Sequence, residues 1–334
     1  RKPMLTTGDL DGRVFDLSQS GDWLLYTRSS NPESGDINSL WAVNIEEENA
    51  KPIDLKIHNI IHYAGWDPAG GLAIYYSTVE PRSTAPGWQA NNDLIWLKFT
   101  ASGAHEVVKT IIETNTGGIY GWWGTQYAWS PDGAKLAYAR PDSVGLVDFE
   151  NNTSLPLIEL IPFETGGNWS WVPGISWSSD SQLLYVVTHA PLPGLSKQEA
   201  SPLFNLSAYL MESGPLIDLL PQTGMFAYPV MSPSLPASHG SVAVLQAVFP
   251  ELSEKSRYRL TLVDQDGSNA RVIYPPEGSP GIEPQQVVWC PSQNNETCNQ
   301  LVFINQGNIW LIHADTGQAQ QITGDGLITR LDWK

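Results

Sequence analysis

The sequence predicts an all-β protein: a closed β-propeller of four-stranded antiparallel blades, six in number, with seven as the alternative. Three observations lead there. The composition suits short strands joined by tight turns, a strand–turn–strand–strand unit recurs along the chain, and its spacing is that of a propeller blade.

The 334 residues include 14 Trp, 29 Gly and 25 Pro beside only 16% charged residues. Aromatic and β-branched residues favour strands, while Gly and Pro set turns. Hydrophobic residues make up 41%, ample for a packed core. Eighteen Lys and Arg against 35 Asp and Glu give a formal charge of −17. Such a chain repels phosphate backbones and anionic bilayers, which argues against nucleic acid as a partner. No run approaches the ~20 apolar residues of a spanning helix, so no membrane insertion is expected within this chain, and no signal or anchor is visible in it.

The repeat is clearest in YAWSPDGAKLAYAR, from Tyr127 to Arg140, followed by VGLVDFENNTSLPLIEL. Strand periodicity flanks a turn in which Pro131 presets φ and Gly133 suits the exit. Asp132 is read as a turn residue bonding its own backbone, not as a catalytic acid. Weaker copies begin at VFDLSQSGDWLLYTR, AGWDPAGGLAIYYS, ISWSSDSQLLYVVT, YPVMSPSLPASHGSVAVLQAV and VVWCPSQNNETCNQLVFIN. Positions equivalent to Trp129 are Leu17, Trp66, Trp177, Met231 and Trp289, spaced by 49, 63, 48, 54 and 58 residues. A four-stranded repeat of about this length is the signature of a propeller. The expected organisation is one domain over 1–334, with approximate blades 14–60, 61–116, 117–165, 166–222, 223–282 and 283–325. The terminal segments are expected to pair and close the ring.

WSPDGAKLAYA and GNIWLIHADTGQAQQIT resemble the WD40-related repeats of TolB-like propellers, and the resemblance spans nearly the whole chain. It implies protein binding. TolB-like propellers also accompany serine peptidases, but no length remains here for a hydrolase domain.

Turns between first and second strands are short, whereas second-to-third connections are long: 29–39, 80–92, 190–204 and 249–257. Irregular loops on a fixed scaffold commonly carry recognition. They should share a face with two interblade segments, GGIYGWWGTQ and GGNWSWVPG. Gly-flanked tryptophans are not explained by strand periodicity, and an aromatic plane with a polar edge suits sugars, peptides or cationic side chains. The candidate ligand-binding residues are therefore Trp88, Tyr120, Trp122, Trp123, Trp169 and Trp171. The structural alternative is that Trp122, Trp123, Trp169 and Trp171 pack between blades or plug the channel mouth.

Catalytic motifs are absent: no G-x-S-x-G elbow, no H-E-x-x-H and no phosphate-binding loop. No cofactor is indicated. Of six histidines only His58 and His62 are close in sequence, and their i, i+4 spacing would make a metal pair only on a helix, which this region does not predict. Cys290 and Cys298 flank a hairpin turn, a placement that suits a disulfide and hence an extracytoplasmic location. The leading reading is a non-catalytic extracytoplasmic recognition module for a protein, peptide or glycan. The alternatives are a polysaccharide-acting lyase or hydrolase with its site in the channel, and a structural accessory domain.

Overall fold

A computed structural model describes residues 10–31, 33–115, 117–165, 169–233, 240–291 and 299–333. It contains six four-stranded antiparallel sheets, each following chain order from first strand to fourth, the blades of a six-bladed β-propeller fold. The first comprises Leu10–Leu17, Trp23–Ser29, Asn38–Asn44 and Ile53–His58, and the second Tyr63–Trp66, Ala73–Ser77, Leu94–Phe99 and His105–Ile112. The third runs Gln126–Trp129, Leu136–Arg140, Ser143–Asp148 and Thr153–Glu159, and the fourth Ile175–Trp177, Leu183–Ala190, Leu203–Leu210 and Leu216–Leu220. The fifth has Val230–Met231, Ser241–Ala247, Tyr258–Asp264 and Arg271–Tyr274, and the sixth Val288–Trp289, Gln300–Asn305, Asn308–His313 and Ala319–Gln321.

The chain forms two compact units, residues 1–127 with 147–155, and residues 128–146 with 156–333. In the first, a core of Val14, Leu25, Leu40, Leu55, Trp66, Ile74, Leu97 and Phe99 joins first-sheet and second-sheet residues. In the second, Ala137, Val144, Trp177 and Leu184 form one core, Tyr185, Leu206, Val242 and Val244 another, and Leu245, Leu260, Trp289 and Phe303 a third. Each core draws on neighbouring sheets. Second and third strands are therefore apolar on both faces, while fourth strands such as Leu216–Leu220 stay exposed over most of their length.

The Ser-Pro-Asp-Gly turn forms as its residue types require. Ser130 Oγ donates to Asp132 Oδ1 at 2.6 Å and accepts from Lys135 N at 2.9 Å, while Ala134 N donates to Asp132 Oδ1 at 3.0 Å. These bonds, with Ser130 first, hold the Asp132 carboxyl below its ordinary range. Ser178 and Asp180 repeat the arrangement, with Ser181 at φ 61° where the third sheet has Gly133 at 69°. The corresponding turns of the fifth and sixth sheets fall largely on 234–239 and 292–298, outside the described residues.

One feature differs from expectation. The segment 80–92, read as irregular, contains a two-stranded hairpin, Val79–Pro81 with Trp88–Ala90. Its base is tied by Asp93, which accepts from Ser77 Oγ, Thr78 N and Thr78 Oγ1 at 3.1, 2.7 and 2.7 Å. The expected pairing of the terminal segments rests in part on residues 1–9, which lie outside the described residues, and residues 322–333 form no strand.

Candidate functional site

In the first unit, residues 117–124 form a short 3-10 turn, Gly118–Trp123, capped by Gly117 at φ 59° and Gly124 at φ 85°. Asn92, buried and itself at φ 51°, donates through Nδ2 to Gly121 O at 2.8 Å and accepts from Thr125 Oγ1 at 3.0 Å. Gly117 N donates to Asn115 Oδ1 at 2.8 Å. The turn is thus anchored to the end of the Val79–Ala90 hairpin.

That anchoring brings two predicted residues together. The Trp88 ring lies 6.2 Å from Trp123 at 88° and 4.8 Å from His62 at 73°. Edge-to-face geometry of this kind is favourable for π systems. Trp88, Tyr120, Trp122 and Trp123 are all half-buried, so each keeps some surface. A side chain at Gly124 would place its Cβ 2.3 Å from His62 Cδ2, so the close approach demands glycine. Among the described residues His62 Nε2 has no hydrogen-bond partner, and burial, with Arg13 adding, pushes the imidazole pKa down to about 4.

The second unit treats its tryptophan pair differently. Trp171 is 2% exposed, donates Nε1–H to Met225 O at 2.9 Å and meets Phe204 edge-on at 4.8 Å. Trp169 is half-buried and stacks on Phe226 at 6.3 Å and 16°. Both tryptophans face the segment 225–226, one as core and one as its cover.

Two long connections of the second unit carry exposed apolar side chains that the sequence did not single out. In 248–257, Phe249 is 63% exposed and Leu252 67%. The loop is nevertheless tightly bonded. Val248 N donates to Arg257 O at 2.8 Å, Phe249 N to Ser256 Oγ at 3.0 Å, and Tyr258 Oη to Ser253 O at 2.7 Å. Ser253 and Ser256 are buried, so serines point inward while the apolar side chains point out. In 191–202, Leu192 and Leu195 are exposed as well. That loop is held through Ser201, whose Oγ donates to Ala190 O, and through Glu164 N, which donates to Glu199 O at 2.7 Å. Thr223 links the two loop bases, donating its N–H to Phe204 O and accepting from Ala247 N, each at 2.8 Å.

The remaining sequence candidates separate. His58 lies 3.3 Å from Asp36 through Nδ1, whereas His62 sits against Trp88. Among the described residues no three His, Cys, Asp or Glu side chains come together to hold a metal ion. Cys290 is buried at the end of Val288–Trp289, and Cys298 lies outside the described residues. No helix is long and apolar enough to cross a membrane among the described residues.

No family model and no curated protein matches the sequence. Among solved structures, the chain is similar to TolB from Acinetobacter baumannii, with a TM-score of 0.51 and 13% identity over 91% of this chain and 64% of that one. It thus spans just under two thirds of that TolB chain. It is also similar to PpgL, a periplasmic gluconolactonase of Pseudomonas aeruginosa, with a TM-score of 0.53 and 14% identity over 97% of this chain and 87% of that one. A protein from Lactobacillus plantarum gives 0.52 and 15% over 96% and 86%. These likenesses show the propeller fold, which hosts binding proteins and enzymes alike.

Proposed function

We propose that this chain is a non-catalytic recognition module that holds a protein or peptide on the second-to-third-strand connections 191–202 and 248–257. The observation that carries the reading is the exposure of Phe249 and Leu252 on a loop held by backbone hydrogen bonds at Val248, Phe249, Leu252 and Lys255. A large apolar side chain contributes about 1.5–3 kcal/mol when buried, so a bonded loop that holds two of them in water gives an incoming surface its anchor. Glu251 and Glu254 flank these side chains, and the chain's charge of −17 disfavours self-association and anionic bilayers. Lys255 and Arg257 on the same loop balance those two carboxylates, so the matching partner presents an apolar depression with a rim of mixed charge.

Site-specific photocrosslinking in the native host tests this. A crosslinker at Leu252 is expected to give one discrete protein adduct that Phe249→Ser suppresses. A crosslinker at Ser102, on an exposed turn of the second sheet, should give none. Identical adducts from both positions would remove the loop from the site.

An extracytoplasmic location belongs to the same proposal, supported by the placement of Cys290 and Cys298 eight positions apart around a turn. Proteolysis without reductant followed by mass spectrometry should recover the two cysteines in one linked peptide. Two alkylatable thiols in protein taken from its own host would end that part of the reading.

A further inference from the structure

The first sheet carries a cavity that the aromatic loops do not touch. Its volume is about 380 Å³, at the small end of ligand pockets, and it lies beneath the connection between Trp23–Ser29 and Asn38–Asn44. Arg28, Asn31, Asp36, Ser39, Trp41 and His58 line it with further serines. Trp41 is the one aromatic carbocycle among them, and a wholly apolar ligand would leave the polar half of the wall unsatisfied.

The polar groups are held by one another. The Arg28 guanidinium lies over the Trp41 ring, its carbon 4.6 Å from the ring centre. Trp41 Nε1 donates to Ser39 Oγ at 2.8 Å, fixing the indole. His58 Nδ1 lies 3.3 Å from Asp36 Oδ2, and Asn59 Nδ2 approaches Asp36 Oδ1 at 3.4 Å. Donors and a carboxylate acceptor thus share one small space. Arg28 and Asp36 also bring opposite charges to the lining, which leaves it near neutral.

We infer that this cavity is a binding site for a neutral saccharide ring. Each sugar hydroxyl both donates and accepts, so it needs a wall of mixed polarity: Asp36 and, with Nδ1 turned to Asp36, His58 Nε2 to accept, and Arg28 and Asn31 to donate. The C–H face of the ring packs on an apolar surface such as the Trp41 indole that lines the cavity. A small anion fits less well, because Asp36 faces it and the chain carries −17. The site shares no residue with the 191–202 and 248–257 loops, and its failure leaves the protein-binding proposal untouched.

Saturation-transfer NMR on the intact chain tests it, with the methyl glycosides of glucose, galactose and mannose and with N-acetylglucosamine, and with acetate and inorganic phosphate as anion arms. At least one glycoside is expected to bind with affinity on the order of 1 mM. Asp36→Ala and His58→Ala should each weaken it about tenfold, the effect of losing a hydrogen bond to a charged group. Asn31→Leu, on the exposed loop and outside the His58–Asp36 pair, should weaken it while the circular dichroism spectrum is unchanged. Phe249→Ser should have no effect. Transfer to no glycoside, transfer to the anions alone, or glycoside binding unchanged in all three pocket variants would overturn the assignment.

Discussion

The Trp177 indole donates its N–H to the carbonyl oxygen of Ala128 at 3.0 Å, tying the first strand of the fourth sheet to the first strand of the third. The same bond recurs between Trp66 and Asp16 at 3.1 Å and between Trp289 and Val230 at 3.0 Å. In each case the acceptor precedes the position equivalent to tryptophan in the preceding sheet, so the recurring Trp is an intersheet strut. Trp177→Phe keeps most of the apolar area and leaves the Ala128 carbonyl unpaired. It should lower unfolding free energy by about 1–2 kcal/mol, read as a shifted urea midpoint with an unchanged slope.

Ser130 gives the turn a comparable test. Its hydroxyl both donates to Asp132 and accepts from Lys135 N, and the residue is buried. Ser130→Ala strands an amide and should cost about 1–2 kcal/mol by thermal or urea unfolding. Asp132→Asn keeps one acceptor for Ala134 N and should cost less.

These two residues also mark how far the sequence is legible. Turn chemistry and strand period are local, so the Ser130–Gly133 motif and its neighbouring strands can be read directly, and the spacing of Trp66, Trp177 and Trp289 then gives the blades. The hairpin Val79–Pro81 with Trp88–Ala90 escapes because three-residue strands carry too little periodicity. Side-chain exposure is harder still. Trp122–Trp123 and Trp169–Trp171 look alike in sequence, yet Trp171 is core because Met225 and Phe204 come from distant segments to enclose it. Nothing near Phe249 or Leu252 states that buried serines would turn both side chains outward, and the Arg28–Trp41–His58 cavity needs residues thirty positions apart.

The fate of Trp171 is measurable. With 2% exposure and a bonded indole, Trp171→Ala should destabilise the protein by about 3–5 kcal/mol, the range for deleting a buried aromatic. Trp122→Ala removes a half-buried ring and should cost well under that. Chemical denaturation of the two variants side by side checks the order.

Gly124 is constrained twice, by φ 85° and by a Cβ position only 2.3 Å from His62 Cδ2. Gly124→Ala must push the imidazole off its place against Trp88. The expected result is a loss of about 2 kcal/mol or more, with a changed near-ultraviolet dichroism signal from the displaced Trp88 and Trp123 rings.

His62 itself predicts a pH dependence. Its side chain is half-buried, Nε2 is shut off from solvent with no partner among the described residues, and desolvation, with Arg13 adding, lowers the folded pKa to about 4, against 6.5 for the free group. Between those values the unfolded chain binds more protons than the folded one, so stability rises with pH. The contribution is fully present above about pH 6.5, is lost as pH falls, and the loss levels off near pH 4. Over about 2.5 pH units at ~1.4 kcal/mol each, the limit is about 3 kcal/mol. Replacing the imidazole by an apolar ring removes the titration, so urea unfolding of wild type and His62→Phe should give a free-energy difference that is constant above pH 7 and shifts toward the variant between pH 6.5 and 4. A difference independent of pH would show that His62 keeps its proton equilibrium on folding, and that the ring is wetter than its contacts with Trp88 and Gly124 imply.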